Sequence, residues 1–172
     1  LGILVDKDNG VAEINEDNNF VSTPLTVGKP DLVISSGTPI VTPSTVAPGG
    51  QFTVSAWTVK NQGTTDISSN LLFYNGYYLS TDATIITSDT YLTGNSNTGL
   101  AGGASYTWEG SGTLTIPAQT EPGSYSIGIC VDILDVIDES NEANNCSVSV
   151  PIQVEGPVCE QELKCGNLTP AI

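Results

Sequence analysis

The chain has 172 residues, which is long enough for one domain with a substantial buried core. Hydrophobic residues make up 38% of it, and 18 Gly and 10 Pro interrupt the sequence, as is typical of short strands joined by turns. Four Lys, no Arg, no His and 19 acidic residues give a net charge of -15, which excludes nucleic acid binding and His-based catalysis as functions.

The first residues of the chain repeat a later segment. Residues 1 to 20 align without a gap on residues 127 to 146, at an offset of 126 positions. Nine of these positions are identical: Gly2, Ile3, Val5, Asp6, Glu13, Asn15, Glu16, Asn18 and Asn19. The pattern indicates that residues 1 to 28 are an orphan half-repeat, the closing hairpin of a unit whose full copy spans residues 29 to 154.

The sequence carries no sign of membrane insertion. It contains no Met, begins at Leu1 without a basic segment and has no apolar run of 18 residues. We therefore expect a processed or excised, soluble chain.

Within the full unit, runs of strand length alternate with turn signals, and no apolar stripe follows helical spacing. About seven strands are predicted, with strand-forming residues at 31–36, 39–42, 51–61, 70–80, 91–93, 105–116, 124–133 and 146–154. This spacing predicts an all-β fold of two packed antiparallel sheets.

The long strand predicted at residues 51 to 61 changes phase in its middle. Phe52 and Val54 share one phase of the alternation, whereas Trp57 and Val59 share the other. A β-bulge at Ser55-Ala56 would return all four side chains to the core. The alternative is that Trp57 covers the outer face of the sheet.

Several stretches in this unit follow one another in the order found in a known family. They are PDLVIS from Pro30, PSTVAPGGQFTVS from Pro43, TVKNQGT from Thr58, YYLSTDATI from Tyr77, LAGGASYTW from Leu100, IPAQTEPGSYSIGICVD from Ile116 and ESNEANN from Glu139. Together they resemble the CARDB family, the cell-adhesion-related domain found in bacteria and archaea. The half-repeat at residues 1 to 28 resembles the C-terminal hairpin of the same family.

The resemblance implies an immunoglobulin-like β-sandwich at residues 29 to 154. Such domains are often tandem, occur in secreted or surface-attached proteins, and have adhesive or structural roles without catalytic residues. Residues 155 to 172 form a tail that matches no part of the family pattern. The residues themselves agree that the chain is not an enzyme, since no nucleophile with an adjacent base and no Gly-rich phosphate loop is found.

The four cysteines are predicted to form two disulfides. Cys130 and Cys146 occupy the positions of Leu4 and Phe20 in the half-repeat, so the two Cys are expected to face each other across the last hairpin. Cys159 and Cys165 would then close a small loop in the tail. The alternative is four reduced thiols in a core or a metal site.

The two matched hairpins hold ten of the 19 acidic residues, which suggests a Ca²⁺ site. No other cofactor is predicted. The alternative is that the acids and Asn side chains cap the turns through hydrogen bonds to the main chain. The candidate ligands are Asp132, Asp135, Asp138, Glu139 and Glu142, with Asp82, Thr84 and Asp89 as a weaker second set.

Aromatic side chains on the predicted strands suggest a second kind of site. A row of exposed rings would suit the faces of sugar rings, so a glycan is a candidate partner. The alternative is that the aromatics belong to the sheet core and to cross-strand pairs. The residues concerned are Tyr74, Tyr77, Tyr78, Tyr106 and Trp108.

The first hypothesis for function is a non-enzymatic structural or adhesion module, extracellular or at the cell surface. Its N-terminal segment would dock on copies of the same chain, or on neighbouring tandem repeats, and build a fibre or an array. The assembly residues are Ile3, Val5, Val11, Phe20, Val21, Leu25 and Val27. The alternatives are a carbohydrate- or Ca²⁺-dependent binding module of a larger secreted enzyme and a hydrolase with paired carboxylates.

Overall fold

The computed structural model describes residues 1–25, 27–35 and 38–156 and is all-β over these ranges. It has thirteen strands there and two short 3₁₀ turns, Glu16–Asn18 and Glu142–Asn144. The strands are β1 Gly2–Leu4, β2 Phe20–Ser22, β3 Leu32–Ile34, β4 Val41–Thr42, β5 Thr45–Val46, β6 Gln51–Val54, β7 Trp57–Asn61, β8 Ile67–Ser80, β9 Thr90–Leu100, β10 Ser105–Trp108, β11 Thr113–Thr115, β12 Gly123–Cys130 and β13 Val150–Val154.

Two layers of sheet form an immunoglobulin-like sandwich, as the sequence predicts. One layer has the strand order β5-β13-β12-β8-β9, in which only the β5–β13 pair is parallel. The other consists of two three-stranded sheets, β10-β7-β3 and β11-β6-β4. Because β6 leads into β7 after two residues, and β10 into β11 after four, these sheets continue one another.

The core lies between the two layers. Trp57 packs edge-on against Tyr77, with ring centroids 6.2 Å apart, and its Nε1 donates a hydrogen bond to the Tyr77 hydroxyl at 2.7 Å. That bond satisfies the indole N–H of a fully buried residue. Further buried apolar side chains from both layers include Leu32, Phe52, Phe73, Ile116, Ile127, Ile129 and Ile152.

The change of phase at Ser55-Ala56 is present, but as a break between two strands and not as the predicted β-bulge within one strand. Strand β6 ends at Val54 and β7 begins at Trp57, and the two residues between them belong to neither strand. Phe52, Val54, Trp57 and Val59 are all buried in the same core. The break thus changes the phase of the alternation without exposing Trp57.

Among the predicted strands, those at residues 91–93 and 105–116 differ most from the structure in their bounds. The short strand expected at residues 91–93 is the eleven-residue β9, which is held to β8 along its length by main-chain pairing. The single strand expected at 105–116 is divided into β10 and β11. Gly110 and Gly112 separate them with positive φ of 128° and 66°, conformations that a regular strand does not contain.

The predicted tail reaches beyond the part of the chain that the structure describes. The expected Cys159–Cys165 disulfide therefore lies outside the described residues. Within them, no helix has the length and apolar character needed to cross a bilayer.

Candidate functional site

The N-terminal residues form a β-hairpin with their own hydrogen bonds. Strand β1 pairs antiparallel with β2, and the register places Ile3 opposite Val21 and Leu4 opposite Phe20. The Leu1 amino group donates to the Thr23 carbonyl oxygen at 2.9 Å, next to the last strand pair. The two strands are closed by a long loop between Val5 and Asn19, which are joined by a main-chain hydrogen bond of 2.9 Å.

Side chains of the loop hold its shape. The Asp6 carboxylate accepts the main-chain N–H groups of Gly10 and Val11, at 2.8 and 2.9 Å. Glu16 Oε1 accepts the N–H of Glu13 at 2.9 Å, and Asn15 caps the 3₁₀ turn. Asp6 has φ of 45°, a left-handed conformation that Asp tolerates better than most residues.

The closing hairpin of the sandwich repeats these contacts at the expected offset. Asp132, with φ of 44°, accepts the N–H groups of Val136 and Ile137 at 3.1 and 2.8 Å. Glu142 Oε1 accepts the N–H of Glu139 at 2.8 Å, and Asn141 caps the second 3₁₀ turn. The two hairpins therefore share one local structure, down to the side chains that brace the loop.

The two hairpins differ in burial. Ile3, Val5 and Val11 are 62%, 60% and 63% exposed. Their counterparts in the sandwich, Ile129, Val131 and Ile137, are exposed by no more than 3%. The remaining predicted assembly residues are also exposed: Phe20, Val21, Leu25 and Val27. The N-terminal hairpin thus presents to solvent the apolar set that the other hairpin buries.

Polar contacts seat the closing hairpin against the start of β3. Glu139 Oε2 accepts the main-chain N–H of Leu32, and Asn145 Nδ2 donates to Glu139 Oε1 at 2.9 Å. Asn144 Nδ2 donates to Asp31 Oδ1 at 2.8 Å. Glu139 is only 4% exposed, and this burial raises the pKa of its carboxyl to about 7. Burial thus disfavours the charged form of Glu139 at the junction between the hairpin and the sandwich.

The disulfide predicted for the closing hairpin is present. Cys130 and Cys146 are bonded, their Cα atoms are 4.0 Å apart, and they form an isolated antiparallel bridge at the last residue of β12. Leu4 and Phe20 are paired in the same way in the N-terminal hairpin. The disulfide therefore occupies the position at which the other copy has an apolar cross-strand pair.

The predicted calcium ligands take part in the contacts of the loop. Asp132, Glu139 and Glu142 each accept main-chain N–H groups, and Asp138 forms an ion pair with Lys29. Asp135 stands at a left-handed position of the turn, with φ of 53°. These contacts favour the turn-capping alternative, and calcium binding stays a prediction.

The weaker second set of calcium candidates surrounds one buried hydroxyl. Ser80 Oγ lies 3.5 Å from Asp82 Oδ1 and 3.1 Å from Asp89 Oδ1. It also donates to the Thr84 carbonyl oxygen, at 3.2 Å. The same carboxylates accept the N–H groups of Thr84 and Ile86, so they too brace a loop.

The predicted aromatic platform is wrong for Tyr77 and Tyr78, which are buried. Trp108 stacks on Trp57, with centroids 6.3 Å apart, and Tyr106 packs edge-on against Trp108. Tyr74 is exposed on a different strand, β8. The rings therefore serve mainly as core and cross-strand contacts, and a glycan partner stays a prediction.

The chain is similar to known CARDB domains. The CARDB family model matches residues 29–149. The chain is 22% identical to a domain of a protein named as a cell surface protein from Methanosarcina acetivorans, covering 74% of this chain and 93% of that one, with a TM-score of 0.44. It is 21% identical to a CARDB domain from Pyrococcus furiosus solved in complex with di-metal ions, covering 77% and 97%, with a TM-score of 0.46. Among curated proteins no match was found.

Those metal ions belong to the Pyrococcus furiosus domain. In residues 1–25, 27–35 and 38–156 of this chain, no group of three or more His, Cys, Asp or Glu side chains is placed to hold a metal ion. Three of the predicted ligands, Asp132, Asp82 and Asp89, accept N–H groups of their own loops.

Proposed function

Because this chain belongs to the CARDB family, a family of cell-adhesion-related domains, we propose that it is a non-catalytic structural module of the cell surface. Its N-terminal hairpin joins one module to the next. The sandwich supplies a rigid body, and the hairpin supplies the connection.

The observation that carries this proposal is the exposure of a hairpin whose copy is buried. Ile3, Val5 and Val11 lie in solvent, whereas Ile129, Val131 and Ile137 are core residues. Covering exposed apolar groups of this kind is favourable, by about 25 cal/mol for each Å² of apolar surface removed from water. A two-stranded hairpin also gains little stability by itself. Both facts support a role in which the hairpin packs on another sandwich.

Such a contact links different surfaces of successive modules. If every chain gives its hairpin to the next, the contact is heterologous and extends into an open fibre. If the modules belong to one polypeptide, the same contact forms a tandem array. Both arrangements use the N-terminal hairpin as the joint.

Deletion of residues 1 to 27 tests the proposal. We expect the full chain to form elongated assemblies that are visible by electron microscopy and light scattering, and the shortened chain to remain monomeric. Fibres that persist unchanged after the deletion would refute it.

Two point variants make the test more specific. Ile3→Asp places a charge where the matching Ile129 is buried, so we expect it to abolish assembly. Ile14→Asp is the matched control, because Ile14 is exposed in the same hairpin and its counterpart, Ser140, is exposed as well. Equal effects of the two variants would show that assembly depends on charge alone.

A further inference from the structure

We infer that the partner of the N-terminal hairpin is a CARDB sandwich that lacks its own closing hairpin and carries an Asp residue just before its first strand. The inference rests on the proposed function and names the surface that the hairpin recognises. It follows from what the residues shared by the two hairpins do in each copy.

One group of shared residues acts within the hairpin. Asp6, Asn15 and Glu16 each accept main-chain N–H groups of their own loop. Their counterparts make the same bonds in the closing hairpin. The local fold of the loop is therefore enough to explain why these three residues are the same in both hairpins.

A second group has a role only where a sandwich is present. The shared residues are Ile3, Val5, Glu13 and Asn18, which correspond to Ile129, Val131, Glu139 and Asn144. In the closing hairpin, the two apolar residues enter the core, Glu139 accepts the N–H of Leu32, and Asn144 donates to Asp31. In the N-terminal hairpin, the side chains of Glu13 and Asn18 make no hydrogen bond to any described residue.

Gly2 belongs to the same group for a steric reason. A Cβ atom on its counterpart, Gly128, would lie 2.3 Å from the Cγ1 atom of Ile85, so no larger residue fits there without a shift. The atoms nearest to a Cβ on Gly2 are at the tip of the exposed Phe20 side chain, which is free to turn away. Only in the sandwich does a neighbouring side chain pack so closely that glycine is required at this position; the N-terminal hairpin by itself does not require it.

These contacts describe the partner. It offers a main-chain N–H equivalent to that of Leu32 to the Glu13 carboxylate, and a carboxylate equivalent to that of Asp31 to the Asn18 amide. It also has an unfilled place in its core beside the strand that corresponds to β8. In the sandwich of this chain, β12 of its own closing hairpin occupies that place and pairs with β8. Copies of the full chain can therefore assemble through this contact only where the N-terminal hairpin of one chain displaces the closing hairpin of the next.

A fusion tests the inference with the full chain. Residues 29–126 are placed directly before Leu1, so that Ser126 is followed by Leu1 as it is normally followed by Ile127. We expect residues 1 to 22 to close the added sandwich. Calorimetry would then show added cooperative unfolding, and the amide hydrogens of Ile3 and Val5 would exchange far more slowly than in the chain alone.

Variants of the fusion separate seating from loop formation. Ile3→Asp and Glu13→Ala should each abolish the added transition, whereas Ile14→Asp should preserve it. In the chain alone, all three variants should unfold like the parent, since these positions are exposed. An added segment that stays sensitive to protease while residues 29–156 remain folded would overturn the inference, as would equal effects of Ile3→Asp and Ile14→Asp.

The outcome is independent of the assembly experiment. The fusion is scored as a monomer, so a full chain that fails to polymerise leaves the inference intact and refutes only fibre formation by copies. Failure of the added sandwich to fold overturns the inference even if the chain polymerises.

Discussion

The N-terminal hairpin and the closing hairpin have the same local structure in opposite surroundings. Asp6 and Asp132 adopt nearly the same φ, 45° and 44°, and accept the same two N–H groups of their loops. Yet Ile3 is 62% exposed and Ile129 is fully buried. The loop conformation is therefore specified by its own short-range hydrogen bonds, whereas burial depends on the sandwich that receives it.

The largest expected difference concerns the apolar side chains. Ile129→Ala removes methyl and methylene groups from a filled core, so we expect it to lower the free energy of unfolding by about 2–5 kcal/mol. Ile3→Ala should change it by less than about 0.5 kcal/mol, because Ile3 is exposed. Urea unfolding of the two variants measures both values. Similar losses would mean that the N-terminal hairpin is already seated within the isolated chain.

The cross-strand pairs provide the next test. Replacing Cys130 and Cys146 by Ala opens a loop with a sequence separation of 16, and we expect a loss of about 3 kcal/mol. The matched change is Leu4→Ala with Phe20→Ala, which should have little effect on global unfolding since both residues are exposed. Thermal unfolding with and without reductant should show sensitivity to reductant only in the parent chain and the Leu4/Phe20 variant.

A smaller effect is expected from the two glutamates at equivalent positions. Burial raises the pKa of Glu139 from 4.5 to about 7, so its contribution to stability is fully present below pH 4.5 and is lost as the pH rises through about 7. The melting temperature of the parent chain should therefore fall as the pH rises through this range. Glu139→Gln should not show this fall. Glu13→Gln is the control for the same exchange at the exposed position. The prediction would be contradicted if, between pH 5 and 8, the melting temperature of the parent chain rose relative to that of Glu139→Gln.

The smallest effect is expected from calcium. The carboxylates of both hairpins already accept N–H groups, so millimolar Ca²⁺ or a chelator should leave the melting temperature unchanged. A rise on addition of Ca²⁺ that is abolished by Asp132→Asn would instead support the calcium site. The matched variant Asp6→Asn would show whether the exposed loop binds the ion as well.

The sequence was sufficient to predict the features that depend on local pattern. An offset of 126 positions places Cys130 and Cys146 opposite each other, because Leu4 and Phe20 close the same hairpin. The change of phase at residues 51 to 61 likewise indicated that Phe52, Val54, Trp57 and Val59 all face the core, although the structure achieves this with a break at Ser55-Ala56 and not with a bulge. Both are consequences of side-chain alternation, which is visible in one dimension.

Features that depend on distant partners could not be predicted in this way. Strand β9 consists largely of Thr, Ser, Asn and Gly, and it exists because β8 pairs with its main chain. Asn75 donates to the side chains of Asn95 and Asn97 across that pair, so polar residues take inward positions that a pattern search assigns to apolar ones. The contact between Asp31 and Asn144 spans 113 residues of sequence, and no short motif contains both.

The parallel pairing of β5 with β13 sets the direction in which tension along these two strands acts on their hydrogen bonds. Gln153 N donates to the Ser44 carbonyl and Glu155 N to that of Val46, both at 2.8 Å. Tension that reaches β5 from its N-terminal side and β13 from its C-terminal side acts along these strands in opposite directions, so both bonds are sheared together. The antiparallel β1–β2 pair has its two ends side by side, and tension between them opens its bonds one after another. If the hairpin joins modules as we propose, it therefore resists such tension only after another sandwich has enclosed it.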